Sequence, residues 1–187
     1  MILVNNLKPG TTYGEDGELY LALDISRNKS ARGQMIIKVK SKNLRSGSIG
    51  TTTYVAGDKV EPVFLDKKEM IFLYEDGEFI IFMDNETYEQ KSVNIDLLVW
   101  EKNFLVPNSS VKLTFFKDEI VGVELPVKME LVVEECPPAV KGDTINKAMK
   151  DALLETGLTV KVPLFIEKGE KIIVKTEDGT YDTRSKS

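Results

Sequence analysis

Histidine is absent from this sequence, and cysteine and tryptophan occur once each, as Cys136 and Trp100. The first absence removes the commonest general base and the commonest metal ligand together. With a lone thiol and no imidazole, no Ser-His-Asp triad, Cys-His pair or thiol–imidazole zinc site can be assembled, and no internal disulfide can form. Thirty acidic residues leave carboxylate chemistry open, but no pair stands out by its spacing. We expect no enzyme, no metal and no cofactor. No apolar run is long enough to cross a bilayer. The stretch from Met1 to Lys8 lacks the basic region, apolar core and cleavage site of a secretory leader. A cytoplasmic protein without a membrane partner is the expectation.

Charge is present but unevenly spread. The formal net charge is −5 over 187 residues. Residues 1–63 carry nine Lys/Arg against six Asp/Glu, residues 64–126 six against thirteen, and residues 127–187 ten against eleven. A basic front and an acidic middle do not make a generic polyanion binder. Such a chain would present one face to a polyanion and keep another away.

Strand signals dominate the chain. β-Branched and aromatic runs occur at Leu19–Ile25, Met35–Lys40, Thr51–Val55, Met70–Tyr74, Phe79–Met83, Val111–Phe116, Ile120–Glu124, Met129–Glu135, Leu158–Val162 and Lys171–Lys175. Turn residues separate them: Gly14-Glu15-Asp16-Gly17, Arg45-Ser46-Gly47-Ser48, Asp76-Gly77 and Asp178-Gly179. One stretch has helical periodicity, with Leu97, Leu98, Trp100 and Phe104 predicting a short helix of two to three turns. Trp100 is expected in the core of the middle barrel. Short strands at regular spacing indicate small barrels rather than one large sheet. Prolines at Pro62 and Pro126 close strand clusters. The prediction is an all-β chain of three small β-barrel domains in series, covering 1–63, 64–126 and 127–187.

Seven basic residues fall between Arg27 and Arg45 (Arg27, Lys29, Arg32, Lys38, Lys40, Lys42, Arg45), with no acidic residue among them. Ser26 to Gln34 holds no apolar side chain longer than Ala31, so it cannot bury a face and should project as a hairpin loop with Arg32 near its tip. Lys38, Lys40 and Lys42 share one strand face by period two. A phosphate backbone is the natural counterpart of such a row. A solvated sheet face protected against edge pairing would carry the same charges. Single-strand binding modules interleave aromatics with their basic residues, and residues 26–45 contain none.

A resemblance narrows the choice. Lys42-Asn43-Leu44-Arg45-Ser46-Gly47, Phe82-Met83-Asp84-Asn85-Glu86-Thr87-Tyr88-Glu89-Gln90, Gly122-Val123-Glu124-Leu125-Pro126 and Val140-Lys141-Gly142-Asp143-Thr144 resemble, in order, segments of bacterial translation elongation factor P. So does the pattern Lys150, Ala152, Gly157, Val160, Val162-Pro163, Ile166, Gly169, Gly179-Thr180-Tyr181 and Arg184. Most of these residues read locally as fold-makers, with Gly157 and Gly169 supplying positive φ or close packing and Pro163 ending a strand edge.

The resemblance implies an SH3-like or KOW-like N-terminal barrel and two OB-fold barrels, arranged as an L-shaped mimic of tRNA. It implies a monomer that binds the 70S ribosome beside the peptidyl-tRNA and stimulates peptide bond formation stalled at consecutive prolines. Arg32 corresponds to the family's loop tip, which reaches toward the CCA end and is a site for a modifying enzyme. The run Asn28-Lys29-Ser30-Ala31-Arg32 is similar to the arginine-tipped subgroup that receives rhamnose, with Ala31 in place of its usual glycine. Lys29, Ser30, Ala31, Gly33, Lys38, Lys40, Lys42 and Arg45 would contact tRNA or rRNA backbone. Tyr181 and Arg184 correspond to residues near the tRNA and small subunit, although a packed tyrosine and a frayed arginine are an equal local reading. An elongation factor P-like paralogue and a generic single-stranded RNA-binding barrel stand as alternatives.

Overall fold

The structure, a computed structural model, describes residues 1–29, 33–139 and 148–186. Its first sheet contains β1 (Ile2–Leu3), β2 (Thr12–Glu15), β3 (Glu18–Lys29), β4 (Met35–Asn43), β5 (Ile49–Val55) and β6 (Lys59–Pro62), in the order β1-β6-β2-β3-β4-β5. Alternation along β4 explains the barrel: Ile37, Val39 and Ser41 point inward, while Lys38 and Lys40 are exposed and Lys42 half-buried. Val4, Leu7, Tyr13, Ala22 and Tyr54 complete the core. The turn between β2 and β3 uses Asp16 (φ 52°) and Gly17 (φ 81°), two left-handed residues in succession. That conformation matches the right-handed twist of a tight hairpin.

The second sheet contains β7 (Asp66–Asp76), β8 (Phe79–Asp84), β9 (Gln90–Asn94), β10 (Ser110–Phe116) and β11 (Glu119–Glu124), in the order β11-β10-β7-β8-β9. The third contains β12 (Lys128–Glu135), β13 (Met149–Leu154), β14 (Thr159–Pro163), β15 (Lys171–Lys175) and β16 (Tyr181–Arg184), in the order β14-β13-β12-β15-β16. Both sheets place their first strand centrally, with strands two and three on one side and four and five on the other. The two OB-type barrels therefore share one topology. For Gly157 and Gly169, expected to supply positive φ or close packing, the structure shows the first: both have φ 85°, and a Cβ at either would meet nothing within 4 Å. β1, β2, β6, β9 and β13 had no strong periodic signal, because each is short or mixes polar and apolar residues on both faces.

The segment predicted as a helix departs from expectation. It forms two separate 3₁₀ turns, Ile95–Leu98 and Glu101–Phe104. The Asn94 side chain accepts from Asp96 N at 2.9 Å and starts the first turn. Helical periodicity assumes one buried face, whereas this segment serves two. Leu98 is buried in the second core and Phe104 in the third, beside Leu131, Val160 and Ile172. Trp100 is likewise not in the middle core. It is 39% exposed, its ring packs edge-on against Phe104, and its indole N–H donates to the Thr176 carbonyl at 2.9 Å. This residue joins the second barrel to the third.

Candidate functional site

β3 and β4 form the longest hairpin of the first barrel, paired from Tyr20↔Asn43 at the root to Lys29↔Met35 near the tip. The inner face ends at Ile25 and Met35, which still pack on the core. Beyond them Arg27, Asn28 and Lys29 on one strand, and Gly33 and Gln34 before the other, are exposed. Gly33 is left-handed, with φ 78°. Ser30, Ala31 and the expected tip Arg32 lie outside the described residues, as does the segment Val140–Thr144.

Lys38, Lys40 and Lys42 form one row on the outer face of β4, separated by about 7 Å per two-residue step. Thr53 lies opposite Lys38 and Thr51 opposite Lys40 on β5, while Ser26 lies opposite Lys38 on β3. Lys38 and Lys40 are thus bordered by hydroxyls able to donate to phosphate oxygens, while Lys42 lies opposite Leu21 and Ile49. Asp24 faces Lys40 from β3, but none of the three lysines has an ion-pair partner among the described residues. Elsewhere Lys67, Lys68, Lys128, Lys161 and Lys171 each sit on a carboxylate. Thr51 and Thr53 were not singled out from the sequence, although period two along Ile49–Val55 assigns them to one face.

The remaining basic residues divide differently. Arg27 turns back to the barrel, donating to the Leu7 carbonyl at 2.8 Å and the Asn5 carbonyl at 3.1 Å. Arg45 is engaged as well. Its Nε and Nη2 donate to Glu119 of the second barrel at 3.0 and 3.1 Å, and its Nη1 donates to the Gly17 carbonyl at 2.5 Å. Hydrogen bonding to Glu119 raises the guanidinium pKa further above its ordinary value. Of Lys38, Lys40, Lys42 and Arg45, the structure thus engages Arg45 within the chain, while the three lysines have no ion-pair partner among the described residues.

In the third barrel Tyr181 packs against the core, and burial raises its phenol above the ordinary range. Arg184 ends β16 paired with Glu170. Cys136 is half-buried and donates to the Ile166 carbonyl at 3.6 Å. Among the described residues there is no cluster of His, Cys, Asp or Glu able to hold a metal. No described helix is long and apolar enough to cross a membrane.

Comparison with known proteins gives these features a setting. Residues 3–60 match the family described as the elongation factor P KOW-like domain, residues 65–123 its OB domain, and residues 129–184 its C-terminal domain. The chain belongs to the elongation factor P family. Elongation factor P of Mycoplasma mycoides subsp. mycoides SC is 47% identical over 182 residues, covering 97% of this chain and 99% of that protein. The protein of the same name from Mycoplasmopsis agalactiae is 45% identical over 185 residues, covering 99% of each chain. Among solved structures, the eukaryotic translation initiation factor 5A from Methanococcus jannaschii aligns over 66% of this chain and 90% of its own. The TM-score is 0.50 at 23% identity, a likeness of fold. Membership in the elongation factor P family makes this chain a translation elongation factor, with a KOW-like barrel carrying the basic hairpin.

Proposed function

We propose that the chain binds the ribosome beside the P-site tRNA and stimulates peptide bond formation, relieving stalls at consecutive prolines. The observation that carries this reading is the Lys38–Lys40–Lys42 row, without an ion-pair partner among the described residues, on the β3–β4 hairpin paired out to Lys29↔Met35. The row follows an RNA backbone, and its lysine spacing is close to the separation of neighbouring phosphates along an extended strand. Lys29, Ser30, Ala31 and Gly33 extend the contact toward the tip. Arg32 reaches toward the CCA end of the peptidyl-tRNA, bare or after a modifying enzyme has added a sugar, and a bare guanidinium donates two parallel hydrogen bonds to phosphate.

In this reading the protein is a monomer, is not an enzyme, uses no cofactor and works in the cytoplasm. The ribosome supplies the chemistry, while the factor restricts the motion of a poorly reacting substrate. Orientation contributes up to about 7–11 kcal/mol to the best intramolecular reactions. The acidic middle domain keeps RNA from coating the whole L-shaped body. Tyr181 and Arg184 sit at the far end of that body, toward tRNA and the small subunit, and residues 63 and 126 divide its three domains. The described hairpin face holds no aromatic ring for base stacking, which favours this reading over a generic single-strand binder.

Arg32→Ala tests the proposal. In a reconstituted assay the variant should lose stimulation of Pro-Pro bond formation while keeping its far-ultraviolet circular dichroism spectrum. Undiminished stimulation would refute the role of the tip. Intact mass of the native protein reports the modification directly, as one added deoxyhexose.

A further inference from the structure

Arg45 stands two residues beyond β4, at the root of the β3–β4 hairpin, which is paired out to Lys29↔Met35. That root is tightly bonded. The Asn43 side chain accepts from the Arg45 and Ser46 backbone N–H groups at 2.8 and 3.0 Å and donates to Glu18 at 2.9 Å. The Leu44 N–H donates to the Leu19 carbonyl at 2.8 Å. From this base the Arg45 guanidinium bridges the two barrels, its Nη1 held by the Gly17 carbonyl of the first and its Nε and Nη2 by Glu119, which opens β11 beside the β10–β11 turn. Beneath the pair, Leu19 and Leu44 of the first barrel pack on Val121 of the second, with Val63, Leu65 and Phe116 around them.

Among the described residues Arg45–Glu119 is the one ion pair that joins two barrels; the others lie within the second or the third. The other joint is built differently, with Phe104 sunk in the third core and Trp100 bonded to Thr176. We propose that Arg45 and Glu119 form a latch that sets the angle of the hairpin against the second barrel, making both positioning residues for the tip. The functional part of this proposal rests on the ribosomal reading above.

Leverage gives the latch its consequence. The nine residues of β4 span about 30 Å. A root rotation of about 10° would therefore carry the tip through about 5 Å, whereas a misplacement of about 1 Å can cost a tightly oriented reaction ~100-fold. Weakening the latch leaves Lys38, Lys40 and Lys42 free to bind, so it acts on kcat and spares KM. Removing the lysines does the reverse.

Spin labels at Asn28→Cys and Glu86→Cys, in a Cys136→Ser background of the full chain, read the angle as a distance distribution. With Arg45 and Glu119 intact the distribution should be narrow. It should broaden in Glu119→Arg and narrow again in the swapped Arg45→Glu/Glu119→Arg variant, where the pair is rebuilt in the opposite sense. In ribosome-dependent Pro-Pro synthesis, Glu119→Arg should lower kcat about 10-fold at nearly unchanged KM, with most of the loss recovered by the swap. An unchanged distribution in Glu119→Arg overturns the latch whatever the ribosomal assay gives. A broadened distribution with undiminished kcat overturns its role in placing Arg32. If the intact protein fails to stimulate Pro-Pro synthesis, the ribosomal reading falls, and the distance measurement still decides the latch.

Discussion

Asp84 is 5% exposed, and its carboxylate is almost fully partnered by nearby groups. Lys68 pairs with Oδ2, while Oδ1 accepts from Glu86 N at 2.8 Å and Thr87 N at 3.3 Å. The Lys68 ammonium first, and then these backbone donors, hold the acid well below the usual carboxylate range. Its folded pKa is lower than its unfolded one, so the stability it contributes is present above the unfolded value of about 3.9 and is lost as pH falls further. Asp84→Asn should therefore unfold at lower urea than the parent at pH 7, and the gap should narrow below about pH 4. Urea midpoints across a pH series check this, and a gap that is constant with pH would exclude the charge as its cause. Gly179 is sensitive for another reason. It has φ 70°, and a Cβ there would meet Trp100 Cη2 at 3.0 Å. Gly179→Ala should loosen the joint and shift the emission of the lone tryptophan to the red.

At the scale of elements, the Ile95–Phe104 segment ties two barrels together because it contributes to both cores. Phe104→Ala removes a fully buried ring from the third core, at an expected cost of about 3–5 kcal/mol. The loss should appear at the same denaturant concentration in tryptophan emission and in circular dichroism, since Trp100 lies on the joint. Emission changing well before circular dichroism would mean that the joint opens without unfolding either barrel. Most strands were legible from the sequence because alternation is a local property: β4 declares its two faces within nine residues. The 3₁₀ pair was not legible, because no local pattern reveals that Leu98 and Phe104 enter different cores.

Over the whole molecule, the basic residues divide into ones with and ones without an ion-pair partner among the described residues, and the proposed RNA contact rests on the second group. Replacing Lys38, Lys40 and Lys42 together by glutamine should lower the slope of log affinity against log salt by about 2, given three phosphate contacts at ~0.7 each on single-stranded RNA. A slope equal to that of the parent would mean the row touches no phosphate. The row was visible as a candidate in the sequence from the spacing of its lysines. The engagement of Arg45 was not, because its partner Glu119 is 74 residues away along the chain.

The sequence by itself determined the lack of any histidine or cysteine pair, the all-β character, the parity of the lysine face and membership in its family. Each of these depends on residue type or on spacing within a few positions. Only the tertiary structure decided which cations remain available. Pairing energy depends on distance through space, and folding brings Arg45 to Glu119 and Arg27 to the Leu7 carbonyl while leaving Lys38 and Lys40 exposed and Lys42 half-buried, none with an ion-pair partner among the described residues.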